Sequence, residues 1–422
     1  MMRRGPPDRR ARALSPMSET AASVPSPATA PGFRRGVLLP CLLLLGAMFN
    51  LTLPVAGLKE LILDELGGTV TDAALFLTVE MAAYLLFAPL WGVLSDRVAR
   101  RRPFVVVGFA GSAAVYFAYL GVQSVDALLA LRFVQGAFSV MGWSTAMALV
   151  ADHAEEPRRG RTMGLLGASL ILGVGLGAPV GGYVTRHLGA RAPLEWAGWL
   201  FLALAVASLA LPESRGGGRH APRLAEILDA LRRRPRLLLP WTFHLVDRLT
   251  VGCFIVVFPL YLASLGAGDA AHRGRYLGLF LLPFALLQAW TGRLSERTGA
   301  APPLVWGTLG YGLVLTFVGL ADLLLLWPAM VALGVLAAFM FPPTLTLTAQ
   351  LADPRARASA MGGFNFAGSL GFALGPLLGA WAQGRGGFAA AFAVAGALEI
   401  ALALGGALLL RRWAAGTRNG MR

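Results

Sequence analysis

Glu80, Arg132, His244, Asp247, Arg248 and Glu399 stand inside runs of residues that are otherwise apolar. A charged side chain in such a setting costs free energy to bury, so it must face a partner or a water-filled cavity. Glu80 and Arg132 lie at similar depth in two different runs. That permits an ion pair, either static or one in which the carboxylate trades its partner for a proton. In FHLVDRLTVGC, His244 and Asp247 are i,i+3 and His244 and Arg248 i,i+4, so the three can share one helix face. Asp247 and Arg248 are candidate cavity residues, and His244 is either a proton carrier or a hydrogen-bonded filler. Glu399 has no evident partner. The chain holds no HExxH, Walker loop, GxSxG or Cys/His cluster, and its five histidines are scattered, so no metal site, cofactor or enzymatic activity is expected. Cys41 and Cys253 lie in apolar runs, where they behave as small hydrophobes rather than as a disulfide.

The elements that carry these residues follow from composition. Only 14% of the 422 residues are charged and 56% are hydrophobic, whereas soluble domains carry about 25% charged residues. Such a chain must hide most of its surface in lipid. The net charge of +15 is spread as short arginine clusters between apolar runs, which speaks for membrane topology and against a nucleic-acid partner. Runs long enough to cross a bilayer fall near 36–58, 73–94, 104–123, 127–150, 162–184 and 194–211. Six more fall near 238–263, 276–294, 303–324, 327–349, 360–382 and 388–410. The expected fold is therefore all-α and polytopic, with 12 transmembrane helices in two six-helix bundles, 36–211 and 238–411. The arginine distribution places both termini in the cytoplasm. Residues 1–35, rich in Pro, Ser, Ala and Arg, read as a disordered cytoplasmic tail in which Met17 would serve equally well as the start. Residues 412–422 read as a second tail. Between the bundles, 212–237 holds a GGG linker, then Leu224, Ile227, Leu228 and Leu231 at helical spacing before Arg232–Arg234. This suits either an amphipathic helix at the membrane face or a plain solvated linker.

The two sixes are related by duplication. MGLLGASLILGVGLGAPVGG (163–182) aligns with MGGFNFAGSLGFALGPLLGA (361–380) at a shift of 198, placing Gly164, Gly173, Gly177 and Gly181 on Gly362, Gly371, Gly375 and Gly379. GVLSDRVA (92–99) matches GRLSERTG (292–299) at 200, and NLT at Asn50 faces RLT at Arg248 at 198. Parallel repeats of this kind are a transporter signature, with the site between the halves.

Three motifs then carry a family resemblance. GVLSDRVARRRP (92–103) is similar to the pattern G-x-L-x-D-R-x-G-R-R through Gly92, Leu94, Asp96, Arg97, Arg100 and Arg101, with Ala99 in place of the second glycine. LRFVQG supplies Arg132, Gln135 and Gly136 to R-x-x-Q-G. The fifth run is similar to G-x8-G-x3-G-P-x2-G-G with its glycines present and its proline moved by one to Pro179, while the eleventh has Gly375-Pro376 in register. On these residues the chain resembles the major facilitator superfamily, in its drug:proton antiporter-like efflux branch, from about residue 36 onward. The resemblance implies a cavity lined by helices one, four, seven and ten. It also implies that Asp96, just past the end of helix two, meets the N-terminus of helix eleven near Ser359 and latches the cytoplasmic side in the outward-facing state; Asp96 can equally pair with an arginine. Gly173, Gly177, Pro179, Gly181, Gly371, Gly375 and Pro376 would give close packing across the halves.

The expected function is secondary active transport by alternating access: proton-coupled efflux of an amphiphilic or drug-like small molecule across a bacterial inner membrane by a monomer. Asn50, Glu80, Tyr84, Arg132, Gln135, Trp143, His244, Asp247 and Arg248 are the candidate substrate- and proton-binding residues, and Tyr84, Trp143 and Phe341 suit a greasy substrate. Proton-coupled uptake of a small polar solute, or a non-transporting assembly or sensor protein on the same fold, are the alternatives.

Overall fold

The computed structural model describes residues 34–153, 159–213, 224–266, 269–353 and 356–419. The expected tail over 1–35, apart from its last two residues, lies outside these, as do Met17 and the GGG linker. Among the described residues, ten apolar helices are long enough to cross a bilayer, one of them spanning Ser359–Trp413. That last one is two helices, because Gly386 and Gly387 break the helical backbone, with Gly387 at φ 72. The shorter apolar helix Ala192–Ser208 completes the expected twelve.

In the first half, helix one spans Gly36–Gly57, helix two Val70–Val98, helix three Arg102–Tyr119 and helix four Val125–Asp152. Helix five spans Arg159–Leu188 and helix six Ala192–Ser208. In the second half, helix seven spans Leu238–Ser264, helix eight Ala270–Thr298 and helix nine Ala301–Val318. Helix ten comes in two pieces, Leu323–Ala338 and Phe341–Leu351. Pro342 and Pro343 explain the break, since proline cannot donate to the turn before it and clashes with that turn's carbonyl. Helices eleven and twelve run within Arg357–Asn419, so helix extends through most of the expected C-terminal tail.

The small residues act differently from expectation. Gly173, Gly177 and Gly181 lie against the carbonyls of Leu45, Phe49 and Leu53 on helix one, and Gly371 and Gly375 against those of Leu245 and Leu249 on helix seven. A side chain at any of them would collide with backbone. This close packing is thus inside each half, repeated by the duplication, and not across the halves. The contact across the halves is made by neighbouring residues: Pro179 sits against Gly274 and Gly278, and Gly182 against Ala270. Pro376 lies beside Gly252 of helix seven, also within its own half.

These cross-half contacts gather at the face opposite the linker, here called the distal face. There Arg273 of helix eight reaches into the first half, donating to the Ala56 carbonyl (3.2 Å) and pairing with Glu60. Arg186 of helix five pairs with Asp269 at 2.9 Å. At the linker-side start of helix five, by contrast, Gly164 and Gly167 meet no neighbour within 4 Å. The distal face is therefore the closed one. On the linker face, Leu224–Arg233 is helical, and its Ile227 and Leu231 pack against a cluster of the second half that includes Trp241 and Phe364.

Candidate functional site

A cavity lies between the halves. Its walls come from helices one, two, five, seven, eight, ten and eleven, and are apolar except for Thr52, Arg248 and Gln288. Helix four contributes no residue to it. It packs instead among helices one, two and three, and Phe280, Leu281 and Phe284 of helix eight fill the wall.

Arg248 is the ionisable residue that lines this cavity. Its Nε and Nη2 both donate to Oδ2 of Asp247, at 3.0 and 2.7 Å, which leaves Nη1 outside that pair. The guanidinium sits 5.9 and 5.5 Å from the ring centres of Phe284 and Phe341. Asp247 is buried behind it, with Oδ1 unpartnered. His244 does share the face, its Nδ1 3.9 Å from Asp247, but its ring lies flat on Phe364 at 3.8 Å. That makes it a spacer between helices seven and eleven. Asn50, the repeat partner of Arg248, is turned away from the cavity and donates to the Ala197 carbonyl of helix six at 3.4 Å. Thr52, two residues on, is the one that lines the cavity.

Glu80 and Arg132 form an ion pair at 2.5 Å, with side chains 1% and 0% exposed. Arg132 Nη1 donates to Tyr116 Oη (3.1 Å) and to Gln135 Oε1 (3.2 Å), and the ring of Phe76 lies 4.0 Å from its Cζ. Tyr84 Oη donates to the other carboxylate oxygen at 2.9 Å and lies 3.3 Å from Ser139 Oγ. Trp143 meets Tyr84 edge-on at 5.6 Å. This network is inside the first half. It stands one layer behind the cavity, since Tyr84 packs with Phe372, which lines it.

Glu399 has a partner that sequence did not supply. Its Oε1 accepts from Thr250 Oγ1 of helix seven at 2.6 Å, its Oε2 has none, and its Cβ lies against Gly312 of helix nine.

At the linker face, helix two runs through Asp96 and Arg97 and ends at Val98, so Asp96 is in the last turn and not beyond it. Ala99 closes the helix in the left-handed conformation at φ 54, the pose expected of the missing glycine; its repeat partner Gly299 has φ 84. In this conformation Asp96 pairs with Arg101 at 3.0 Å, and Arg101 pairs with Asp152 of helix four at 2.6 Å. Arg101 also donates to Ser95 Oγ, which itself donates to the Gly92 carbonyl, and Arg100 lies 3.8 Å from Glu213. The cluster thus ties helix two to helix four within one half, and Asp96 is satisfied by arginine rather than by helix eleven.

Arg273 was invisible in the sequence because AHRGRY reads as a charged loop. Helix eight begins there, six residues before the expected 276, because Asp269 caps it by accepting from the His272 amide at 2.8 Å.

The profile of the Major Facilitator Superfamily matches residues 38–272 and 243–419. A class G tetracycline resistance protein of Vibrio anguillarum is 28% identical over 239 residues, 54% of this chain and 59% of that protein. The multi-drug resistance efflux pump PmrA of Streptococcus pneumoniae is 28% identical over 132 residues, 31% of this chain and 33% of the pump. The chain thus matches less than two thirds of the length of these curated relatives. The crystal structure of the nucleoside transporter NupG has the same fold, with TM-score 0.75 over 88% of this chain and 98% of that one at 14% identity. The chain belongs to the Major Facilitator Superfamily, whose members are membrane transporters rather than enzymes.

Proposed function

We propose that this protein is a secondary active transporter that exports an amphiphilic small molecule by alternating access, coupled to protons, as a monomer in a bacterial inner membrane. Its linker face and both termini are cytoplasmic. The observation that carries the reading is the cavity between two duplicated halves, apolar on nearly all sides, with the guanidinium of Arg248 on its wall. It suits a greasy substrate better than a small polar solute, which needs several convergent polar groups. The efflux relative supports export. We assign substrate contact to Arg248 and proton coupling to Glu80. That carboxylate holds together helices two, three and four through Arg132 and Tyr116, and a proton on it would remove the charge that anchors the guanidinium. Asp247 serves to hold Arg248 in place.

The test is transport of fluorescent amphiphiles in proteoliposomes under an imposed pH gradient, comparing wild type with Glu80→Gln and Asp247→Asn. Efflux should follow the gradient in wild type and become indifferent to it in Glu80→Gln. Transport that ignores both the gradient and Glu80→Gln sinks proton coupling at that site.

A further inference from the structure

We infer that the substrate carries an acidic group, a carboxylate or its like, bound by Arg248 and Gln288 in the otherwise apolar cavity. The inference rests on the transport reading above and adds the charge of the cargo. Three features of the site support it. First, the cavity wall presents one ionisable side chain, a guanidinium, and no carboxylate: Asp247 is behind the wall and Glu80 is a layer away. A cationic substrate would find no carboxylate on this wall, and the edge of the guanidinium that Asp247 leaves unused offers donors only.

Second, the guanidinium is only partly used. Asp247 takes the Nε and Nη2 edges through a single oxygen, leaving Nη1 with its two donor hydrogens, and the Arg248 side chain keeps 18% of its surface exposed. Arginine can bridge two acids because its five donors are spread around a plane. Asp247 therefore orients the group while the free edge meets a second acid. Third, Gln288, also on the wall, has a buried Nε2 with no hydrogen-bond partner. Buried polar groups are ordinarily paired, so this unpaired amide donor marks a place for an acceptor. A guanidinium edge and an amide donor on one wall, with the Phe284 and Phe341 rings beside the guanidinium, fit an amphiphile with an acidic head and an aromatic or aliphatic body.

One consequence concerns energy. An anion leaving in exchange for an entering proton moves two charges in the favourable direction of an inside-negative potential. Export should then respond to voltage as well as to pH.

The experiment uses the full-length purified protein in nanodiscs and three probes of one shape: 1-naphthaleneacetate, its neutral amide, and 1-naphthylmethylammonium. Titration calorimetry reads their affinities. The acid should bind at least tenfold tighter than the amide, the scale of a charge-assisted hydrogen bond, and the ammonium weakest. Removing Arg248 alone would strand Asp247 in the interior, so the loss is made as the pair Asp247→Asn/Arg248→Gln. That double variant should bind acid and amide alike, whereas Arg248→Lys should keep a preference for the acid. Gln288→Leu should weaken binding of the acid severalfold and so shrink its advantage over the amide. The inference is overturned if the amide or ammonium compound binds wild type as well as the acid does. An acid preference that survives the double variant, or no saturable acid binding at all, overturns it too. Alternating access is read separately, by thiol labelling from each side of the membrane. A failure on substrate charge with labelling intact leaves the transport reading standing.

Discussion

Neutralising Glu60 should open the distal face. Arg273 belongs to the second half and is wholly buried, while its carboxylate partner and the Ala56 carbonyl belong to the first. In the closed state, Glu60→Gln leaves a buried guanidinium without its counter-charge. Breaking a buried pair by removing one member costs about 3–5 kcal/mol. Glu60 keeps 28% of its side-chain surface exposed, so water compensates in part and about 2 kcal/mol is the reasonable figure. In a distal-open state Arg273 would be hydrated and would lose almost nothing. The difference moves the closed-to-open ratio by roughly thirtyfold toward open, at 1.4 kcal/mol per tenfold. Arg186 and Asp269 are 47% and 34% exposed, and Arg186→Gln should shift the ratio only about threefold or less.

Spin labels placed at the distal ends of helices five and eight would report the two populations by pulsed electron resonance, after Cys41 and Cys253 are replaced by Ala. A cysteine at Val174, on the cavity wall, would report by its labelling rate from the distal side. If Glu60→Gln leaves both the distance distribution and the labelling rate unchanged in folded protein, the Arg273 contact is not a gate.

Two further outcomes follow from strain and burial. Ala99→Gly should stabilise the protein by about 0.5–1 kcal/mol, because Ala99 bears a left-handed backbone that glycine adopts without a Cβ penalty. A rise of roughly 1–3 °C in the unfolding midpoint of the detergent-solubilised protein would show it, and no rise would mean the turn relaxes otherwise. Glu80→Gln should destabilise more than Arg132→Met, since a stranded carboxylate can take up a proton whereas a stranded guanidinium cannot lose one. The pair Glu80→Gln/Arg132→Met should recover stability relative to Glu80→Gln alone, measured by the same unfolding scan; a double variant as unstable as that single would show that the pair is not what holds helices two and four.

What the sequence revealed depended on how far each signal extends along the chain. Twelve spans and two halves were legible because hydropathy acts over about twenty residues and the shift of 198–200 recurs in three separate motifs. Glu80 and Arg132 were legible as a pair because each stands alone in a clean apolar run. Arg273 was not, because flanking charges hid it; the available signal was Asp269, a helix cap 200 residues after the cap Thr69. Nor did the repeat say which way a side chain faces. Asn50 and Arg248 are equivalent by position, yet one turns to helix six and the other to the cavity. Arg132 has buried Met330 as its counterpart, and Glu399 has Phe201, which stacks on Tyr116. The duplicated glycines hold both halves to one backbone, because a Cβ there would strike a carbonyl. Nothing of that kind constrains the charges. The first half spends its buried ion pair on holding its own helices together, and the second sets its guanidinium against the cavity. A symmetric scaffold thus carries an asymmetric site, which is why the repeat predicted the fold well and the site only in part.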